Sequence, residues 1–183
     1  MTESVLMAFL TGVLIIATIY DLRFRRIPNL LTFPAMGFAL VCHTWSSGAD
    51  GLLFALGGLA LGTAFLIVPY LTGGMGAGDV KLLGAAGAAL GPKGIFISAL
   101  FMALFGGIYA LWLLAVNYRK SKGLIARSAT TLKIFAATGQ FFPVSEEEKE
   151  ERPRLCYGLA IALGTVFYIF LESTGFNFSL LNA

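Results

Sequence analysis

Two aspartates, Asp21 and Asp79, are the acidic residues of the sequence that are best placed to do chemistry. The chain has ten acidic residues in all. Five lie in one run at 146–151, and three more lie at the outer ends of apolar segments, where a charge is easily solvated: Glu3, Asp50 and Glu172. Asp21 and Asp79 each border a long apolar segment, and an ionisable group close to a bilayer indicates a functional site by default.

A pair of carboxylates predicts acid and base catalysis of peptide hydrolysis. One carboxylate activates a water molecule, while the second, protonated carboxyl polarises the carbonyl and then protonates the leaving amine. Two such groups held close together share one proton, and their apparent pKa values belong to the pair. The alternative is that each aspartate is an ordinary interfacial cap. That role suits Asp79 at the start of a helix better than Asp21, which ends one.

A glycine-rich stretch precedes Asp79 and predicts a place where an extended substrate lies against bare backbone. Its glycines are Gly73, Gly74, Gly76 and Gly78. Backbone without side chains lets a peptide approach and pair its amides with the loop. A phosphate-binding loop is the alternative, but no Gly-Lys-Ser or Gly-Lys-Thr follows, and a carboxylate would repel a phosphate.

Gly76, Gly78 and Lys81 are therefore the candidate substrate-binding or active-site loop residues. Lys81 follows Asp79 by two residues, and residues at that spacing do not share a helix face. The favoured interpretation of Lys81 is a side chain that extends toward lipid headgroups, with a role in the active site as the alternative.

Other chemistries find little support in the sequence. Cys42 and Cys156 lie in apolar segments without CxxC spacing, which argues against a four-cysteine zinc site or a redox pair. The single histidine, His43, has no evident partner and predicts a packing role. We expect no metal, no cofactor and no nucleic-acid partner. Only 13% of the residues are charged, against roughly 25% in soluble domains, which favours a membrane protein.

The elements that must position the aspartates are predicted to be membrane-spanning helices, which makes the fold class all-α. Six apolar runs approach the length of about 20 residues that a span needs. They cover residues 4–20, 30–45, 52–71, 80–90, 95–116 and 155–171. The fourth run reaches only about 16 Å. It either continues past Pro92 or lies in a thinned region lined by protein.

Charge asymmetry predicts the orientation of this polytopic helix bundle. Twelve of the 13 basic residues fall in the loops that follow the first, third and fifth runs, and Lys93 alone lies on the other side. Basic loops remain in the cytoplasm. Both termini are therefore expected on the non-cytoplasmic side, and Asp21 and Asp79 at the cytoplasmic face.

We predict one membrane-embedded domain over residues 1–183, with a polar cytoplasmic loop at 117–154. Apolar residues at helical spacing in that loop predict an amphipathic helix that lies on membrane lipid: Leu124, Ile125, Ala129, Leu132 and Ala136. The acidic run at 146–151 fits a solvated linker better than a functional site.

Two motifs resemble those of the type IV prepilin peptidase family, which belongs to the GxGD membrane aspartic proteases. The first is Asp21-Leu-Arg-Phe-Arg-Arg-Ile-Pro-Asn29, and the second is Gly76-Ala-Gly-Asp79-Val-Lys-Leu82. The stretch Tyr157-Gly-Leu-Ala-Ile-Ala162 also looks like the family's last helix, with Cys156 where proline is usual. The resemblance to the presenilin and signal-peptide-peptidase group is more distant, because its Pro-Ala-Leu motif is absent.

The resemblance implies an aspartic endopeptidase of the bacterial inner membrane, with Asp21 and Asp79 as catalytic residues. Such enzymes remove the leader of prepilin or pseudopilin precursors at the cytoplasmic face, and contacts with pilus or secretion machinery follow from that role. The cut usually follows a glycine, just before a hydrophobic helix. The paired CxxC motifs of the larger, methylating members are absent from this sequence. The chain is therefore more similar to the short Flp/Tad-type peptidases.

Two alternatives from other classes remain open. A transporter or channel subunit would use the aspartates to bind protons or cations, but both aspartates lie at one face and no run is rich in polar residues. A scaffold of a secretion machine would keep its function without the carboxylates.

Overall fold

The computed structural model describes residues 2–72, 74–116 and 156–175, and all regular secondary structure in these ranges is helical. The helices are α1 (Thr2–Phe24), α2 (Asn29–Leu71), α3 (Ala77–Val116) and α4 (Tyr157–Ser173). Three of them, α1 to α3, are long and apolar enough to cross a membrane, and α4 is a shorter apolar helix. The predicted all-α class is confirmed for the described residues. Six spans and the orientation of the termini stay predictions.

Helix α2 is divided by a sharp break at Gly48. It has 43 residues, which correspond to about 65 Å, twice a hydrocarbon core of about 30 Å. Gly48 has φ 61° and ψ −135°, a conformation that glycine adopts without the clash of a Cβ. The break falls between the predicted runs 30–45 and 52–71, so each run forms one half of α2.

Helix α3 breaks in the same way at Gly91, which has φ 72° and ψ 179°. The Phe54 ring fills the space that a Cβ on Gly91 would need. The first half begins at Ala77, three residues before the predicted run, and residues 82–90 are all buried. A helix that is apolar and buried on every side lies inside the protein. The short fourth run is therefore lined by protein, and the chain bends at its end.

A hydrogen bond from α2 accompanies the break in α3. Pro92 lacks an N–H, and a broken helix leaves carbonyl groups without their usual partners. The Nε2 atom of His43 lies 3.0 Å from the Ala89 carbonyl oxygen. The His43 and Phe54 rings also pack edge to face, with their centroids 5.1 Å apart. His43 thus joins α2 to α3 close to the bend.

Small residues bring α2 and α3 into close contact. A Cβ added to Gly58 would meet the Gly87 carbonyl, and one added to Gly87 would meet the Gly58 carbonyl. A Cβ on Gly62 would lie 2.5 Å from the Leu83 carbonyl oxygen. Such backbone contact is how helices associate in lipid, where no hydrophobic force drives them together.

Helix α4 packs against α1 and also against α3. The buried hydroxyls of Ser98 and Thr165 are 2.9 Å apart. A Cβ on Gly164 would lie 2.5 Å from the Met102 amide nitrogen, so the two backbones are close. The Phe101 and Phe167 rings pack edge to face at 4.8 Å. These contacts fix α4, whose first turn reaches the candidate site.

The chain divides into two compact units, Met1–Gly106 with Cys156–Ala183, and Gly107–Leu155. The candidate site lies wholly within the first unit. The described part of the second unit is the end of α3, where the Tyr109 and Trp112 rings stack at 6.4 Å. Gly73 and the predicted amphipathic helix at 117–154 lie outside the described residues. The single domain over 1–183 stays a prediction.

Candidate active site

Asp21 lies in the last turn of α1 and is only 8% exposed. Arg25 ends the helix in the left-handed conformation, at φ 52°, which is uncommon for a residue other than glycine. The Arg25 amide donates a hydrogen bond of 2.8 Å to the Asp21 carbonyl. This closes the last turn as an αL cap. The chain then turns away and leaves the Asp21 side chain facing the protein.

The Asp21 carboxylate is held by the first turn of α4. The Gly158 amide donates a hydrogen bond of 3.0 Å to Asp21 Oδ2. A Cβ on Gly158 would lie 2.8 Å from that oxygen, so only glycine fits without a shift. The positive end of the α4 dipole favours the negative charge that the C-terminal end of α1 disfavours. The unfavourable position of Asp21 on its own helix is thereby offset.

Asp79 lies in the first turn of α3 and is also 8% exposed. Its amide donates a hydrogen bond of 3.2 Å to the Gly76 carbonyl. In return, the Gly76 amide donates one of 3.1 Å to Asp79 Oδ2. This exchange follows the logic of a capping box at the start of a helix. It fixes the Asp79 carboxylate through residues of its own turn.

The two carboxylates lie within electrostatic range of each other. Tyr157 interacts in the same way with Asp79, and Cys156 interacts with both aspartates and with Arg25. Burial, followed by the charge of Asp21, raises the pKa of the Cys156 thiol, Arg25 opposes this, and Asp79 adds a smaller increase. The ends of α1, α3 and α4 thus meet around one pair of acids.

The other predicted site residues lie beside the pair. A Cβ on Gly78 would be 3.0 Å from the Ile27 Cβ, so the two motifs touch at this point. Lys81 Nζ donates a hydrogen bond of 2.9 Å to Asn29 Oδ1 and lies 5.0 Å from the Phe33 ring centroid. Gly76 is exposed, and among the described residues Asp79 Oδ2 lies nearest to the position of an added Cβ, at 3.4 Å.

Gly158 is the site residue that the sequence analysis did not select. The signal was the Tyr157-Gly158 pair at the start of the last apolar helix, which entered only as part of a resemblance. Nothing in the local sequence indicates that its amide meets a carboxylate 137 residues earlier. Within residues 2–72, 74–116 and 156–175, no three His, Cys, Asp or Glu side chains form a group able to hold a metal ion.

A sequence model of the type IV leader peptidase family matches residues 8–111, which is more than half of the chain. The chain belongs to this family. Both aspartates fall inside the matched range, whereas Gly158 lies beyond it. The resemblance drawn from the two motifs is confirmed.

Curated relatives of this leader peptidase family member carry the name prepilin leader peptidase/N-methyltransferase. The protein of Xanthomonas campestris is 39% identical over 102 residues, which are 52% of this chain and 36% of the relative. That of Aeromonas hydrophila is 35% identical over 120 residues, 62% of this chain and 41% of the relative. That of Bacillus subtilis is 36% identical over 103 residues, 54% and 40% of the two chains. The chain thus spans about two fifths of their length, and no solved structure gives a significant match.

Proposed function

We propose that the chain is a membrane aspartic endopeptidase that removes the leader of type IV prepilin-like precursors. One observation carries the proposal. Asp21 and Asp79 come from distant parts of the sequence, yet both are buried and lie within electrostatic range of each other. Burying two carboxylates together is costly unless they share a proton. Acid and base catalysis needs a pair in that shared state.

The proposed mechanism uses a water molecule between the two side chains. The ionised carboxylate takes a proton from this water, whose oxygen attacks the scissile carbonyl carbon, while the protonated carboxyl donates a hydrogen bond to the carbonyl oxygen. When the tetrahedral intermediate collapses, the C–N bond breaks and the leaving amine takes a proton from a carboxyl group. The hydrogen bonds from Gly158 and Gly76 hold the two carboxylates for these transfers.

The proposed substrate segment lies extended near Gly76. This residue is exposed, and as a glycine it has no side chain of its own between its backbone and an approaching peptide. Gly78 has less freedom for such contact because Ile27 lies against it. A leader that joins a hydrophobic helix must unwind at the cut, and pairing with bare backbone stabilises the extended form.

We further propose cleavage at the cytoplasmic face of the bacterial inner membrane, on Flp-type precursors. The strong bias of basic residues to the loops on the side of Asp21 and Asp79 supports this face. The Flp-type substrate rests on the resemblance of the chain to the short peptidases of that kind. The relatives' names include an N-methyltransferase, and we do not extend that second activity to this chain.

The test is leader removal in cells that co-express the chain with a candidate prepilin, with the cut site read by mass spectrometry. We expect cleavage by the unaltered chain and by Asp50→Asn, which removes a carboxylate away from the pair. We expect none by Asp21→Asn or Asp79→Asn. Cleavage by either of these two variants would refute the shared-proton mechanism. Ion flux in liposomes that both variants lose, with no cleavage, would favour a transporter.

A further inference from the structure

Lys81 makes two contacts that join the start of α3 to the start of α2. Its ammonium donates a hydrogen bond of 2.9 Å to Asn29 Oδ1, and it lies 5.0 Å from the Phe33 ring centroid. Asn29 is the first residue of α2, and Phe33 follows one turn later on the same face. The amide oxygen of Asn29 accepts from Lys81, and the N-cap residue Pro28 makes no side-chain hydrogen bond to the start of α2.

A second contact lies one turn away on the same face of α3. Gly78 precedes Lys81 by three residues, so the two share a face. Ile27 lies so close to Gly78 that an added Cβ would be 3.0 Å from the Ile27 Cβ. The segment 27–29 is therefore held against the first two turns of α3 at two points, on either side of Asp79 in sequence.

This segment is also the connection that leads back to Asp21. The Arg25 amide is bonded to the Asp21 carbonyl, and only Arg26 separates Arg25 from Ile27. A displacement of segment 27–29 from α3 would thus pull on the last turn of α1. Asp21 would then move relative to Asp79, which keeps its own bond to Gly76.

We propose that Lys81 is a positioning residue, which acts through Asn29 and Phe33 to set the separation of the two carboxylates. This inference rests on the proposed function. It differs from a contact with substrate or with lipid headgroups, because the ammonium acts here through its hydrogen bond to Asn29 and its contact with the Phe33 ring. Catalytic geometry is sensitive to such shifts, since a displacement of about 1 Å can cost about 10²-fold in rate.

The test measures kcat and KM separately for Lys81→Met, Asn29→Ala and the double variant. The full chain in detergent micelles cleaves a synthetic precursor peptide with a basic leader, a glycine before the cut and a hydrophobic segment after it. We expect each single variant to lower kcat by about tenfold or more with KM within about twofold. The double variant should be no worse than Lys81→Met, because both changes break the same contact.

Two controls separate positioning from a general loss of charge or of fold. Lys81→Arg should restore most of kcat, because a guanidinium can also donate to Asn29 and stack on Phe33. Lys93→Met removes an ammonium about three turns further along α3 and should leave kcat within about twofold. The free energy of unfolding of the same variants is also measured in micelles. The losses caused by Lys81→Met and Asn29→Ala should be non-additive in the double variant, whether or not the chain is active.

The outcomes are distinct. A raised KM with unchanged kcat in Lys81→Met would mean substrate contact and would overturn the proposal, as would additive losses of kcat in the double variant. Absence of coupling in the unfolding experiment would overturn the contact itself. A failure of the unaltered chain to cleave any precursor, with the coupling intact, would refute the proposed function instead.

Discussion

The two aspartates of the candidate site are held by contacts of different range. Asp79 is bonded by Gly76, three residues earlier in the same turn. Asp21 is bonded by Gly158, which is 137 residues away at the start of α4. The first carboxylate is therefore fixed as soon as α3 begins, whereas the second depends on α1 and α4 packing together. The position of the Asp79 carboxylate is thus determined by local structure, and that of the Asp21 carboxylate by the packing of distant helices.

The largest expected effect tests whether the two aspartates act as one catalytic pair although they are held by different contacts. Asp21→Asn and Asp79→Asn should each lower kcat by about 10²- to 10⁴-fold, because each removes one member of an acid and base pair. The double variant should be little worse than either single variant, since residues that act as a unit are not additive. Steady-state cleavage of a precursor peptide measures both. A loss in the double variant equal to the product of the two single losses would mean that the aspartates do not act as one pair.

The next largest effect compares the two anchors of the carboxylates, which are the glycines Gly158 and Gly76 whose amides bond them. Gly158→Ala places a Cβ 2.8 Å from Asp21 Oδ2, so the carboxylate must move. We expect kcat to fall by about 10²-fold. In Gly76→Ala the new Cβ lies 3.4 Å from Asp79 Oδ2, an ordinary contact, and the loss should stay below about tenfold. Gly12→Ala in α1, where none of the described residues lies within 4 Å of the new Cβ, is the matched control. Equal losses in the two anchor variants would contradict the comparison.

A smaller effect reports on the surroundings of Asp21 through Cys156. The pKa of this thiol is raised, so below that pKa the thiolate is a minor species and its alkylation rate rises as pH rises. Asp21 contributes more to the raised pKa than Asp79 does. Alkylation near pH 7 should therefore be faster in Asp21→Asn, by less than about tenfold, because the single negative charge of the pair then lies on Asp79. It should be no faster in Asp79→Asn, where that charge stays on Asp21. Mass spectrometry measures the rates in a Cys42→Ser background.

If Asp79→Asn accelerates alkylation of Cys156 more than Asp21→Asn does, the thiol is not on the Asp21 side of the pair. The unaltered chain in the Cys42→Ser background supplies the reference rate.

The smallest expected effect is on stability. Ser98→Ala removes the buried hydrogen bond to Thr165 that helps to fasten α4, and therefore the partner of Asp21. Hydrogen bonds between membrane helices contribute about 0.6 kcal/mol on average, and we expect a loss of that order in the free energy of unfolding. Ser173→Ala removes an exposed hydroxyl that bonds within its own helix, and should cost less. A larger cost for Ser173→Ala would show that Ser98 does not secure α4.

The sequence was sufficient to predict the local features of the site. The motifs identified the family, and the capping position of Asp79 followed from its place at a helix start. Both breaks fall between apolar runs that the sequence separates, 30–45 from 52–71 and 80–90 from 95–116. These features depend on neighbours within a few residues, where turn and capping preferences act.

The contacts that cross the fold were not predictable in the same way. Asp21 meets Gly158 only because α1 packs against α4, and Lys81 meets a residue 52 positions earlier. Helical spacing correctly separated Lys81 from Asp79, but it does not tell which neighbouring helix the lysine faces. The structure shows a contact of Lys81 with Asn29 and Phe33 that the sequence did not indicate, and the extension of Lys81 to lipid headgroups stays a prediction.

The contact between His43 and the bend of α3 has a consequence for the position of a hydrogen atom. A carbonyl oxygen only accepts hydrogen bonds, so the Nε2 atom that lies 3.0 Å from Ala89 must carry the hydrogen. In the neutral ring this hydrogen bond selects the tautomer with the hydrogen on Nε2, so that Nδ1 carries none. Nitrogen chemical shifts of the one histidine in the sequence would report this tautomer directly, and with it whether the bend is intact.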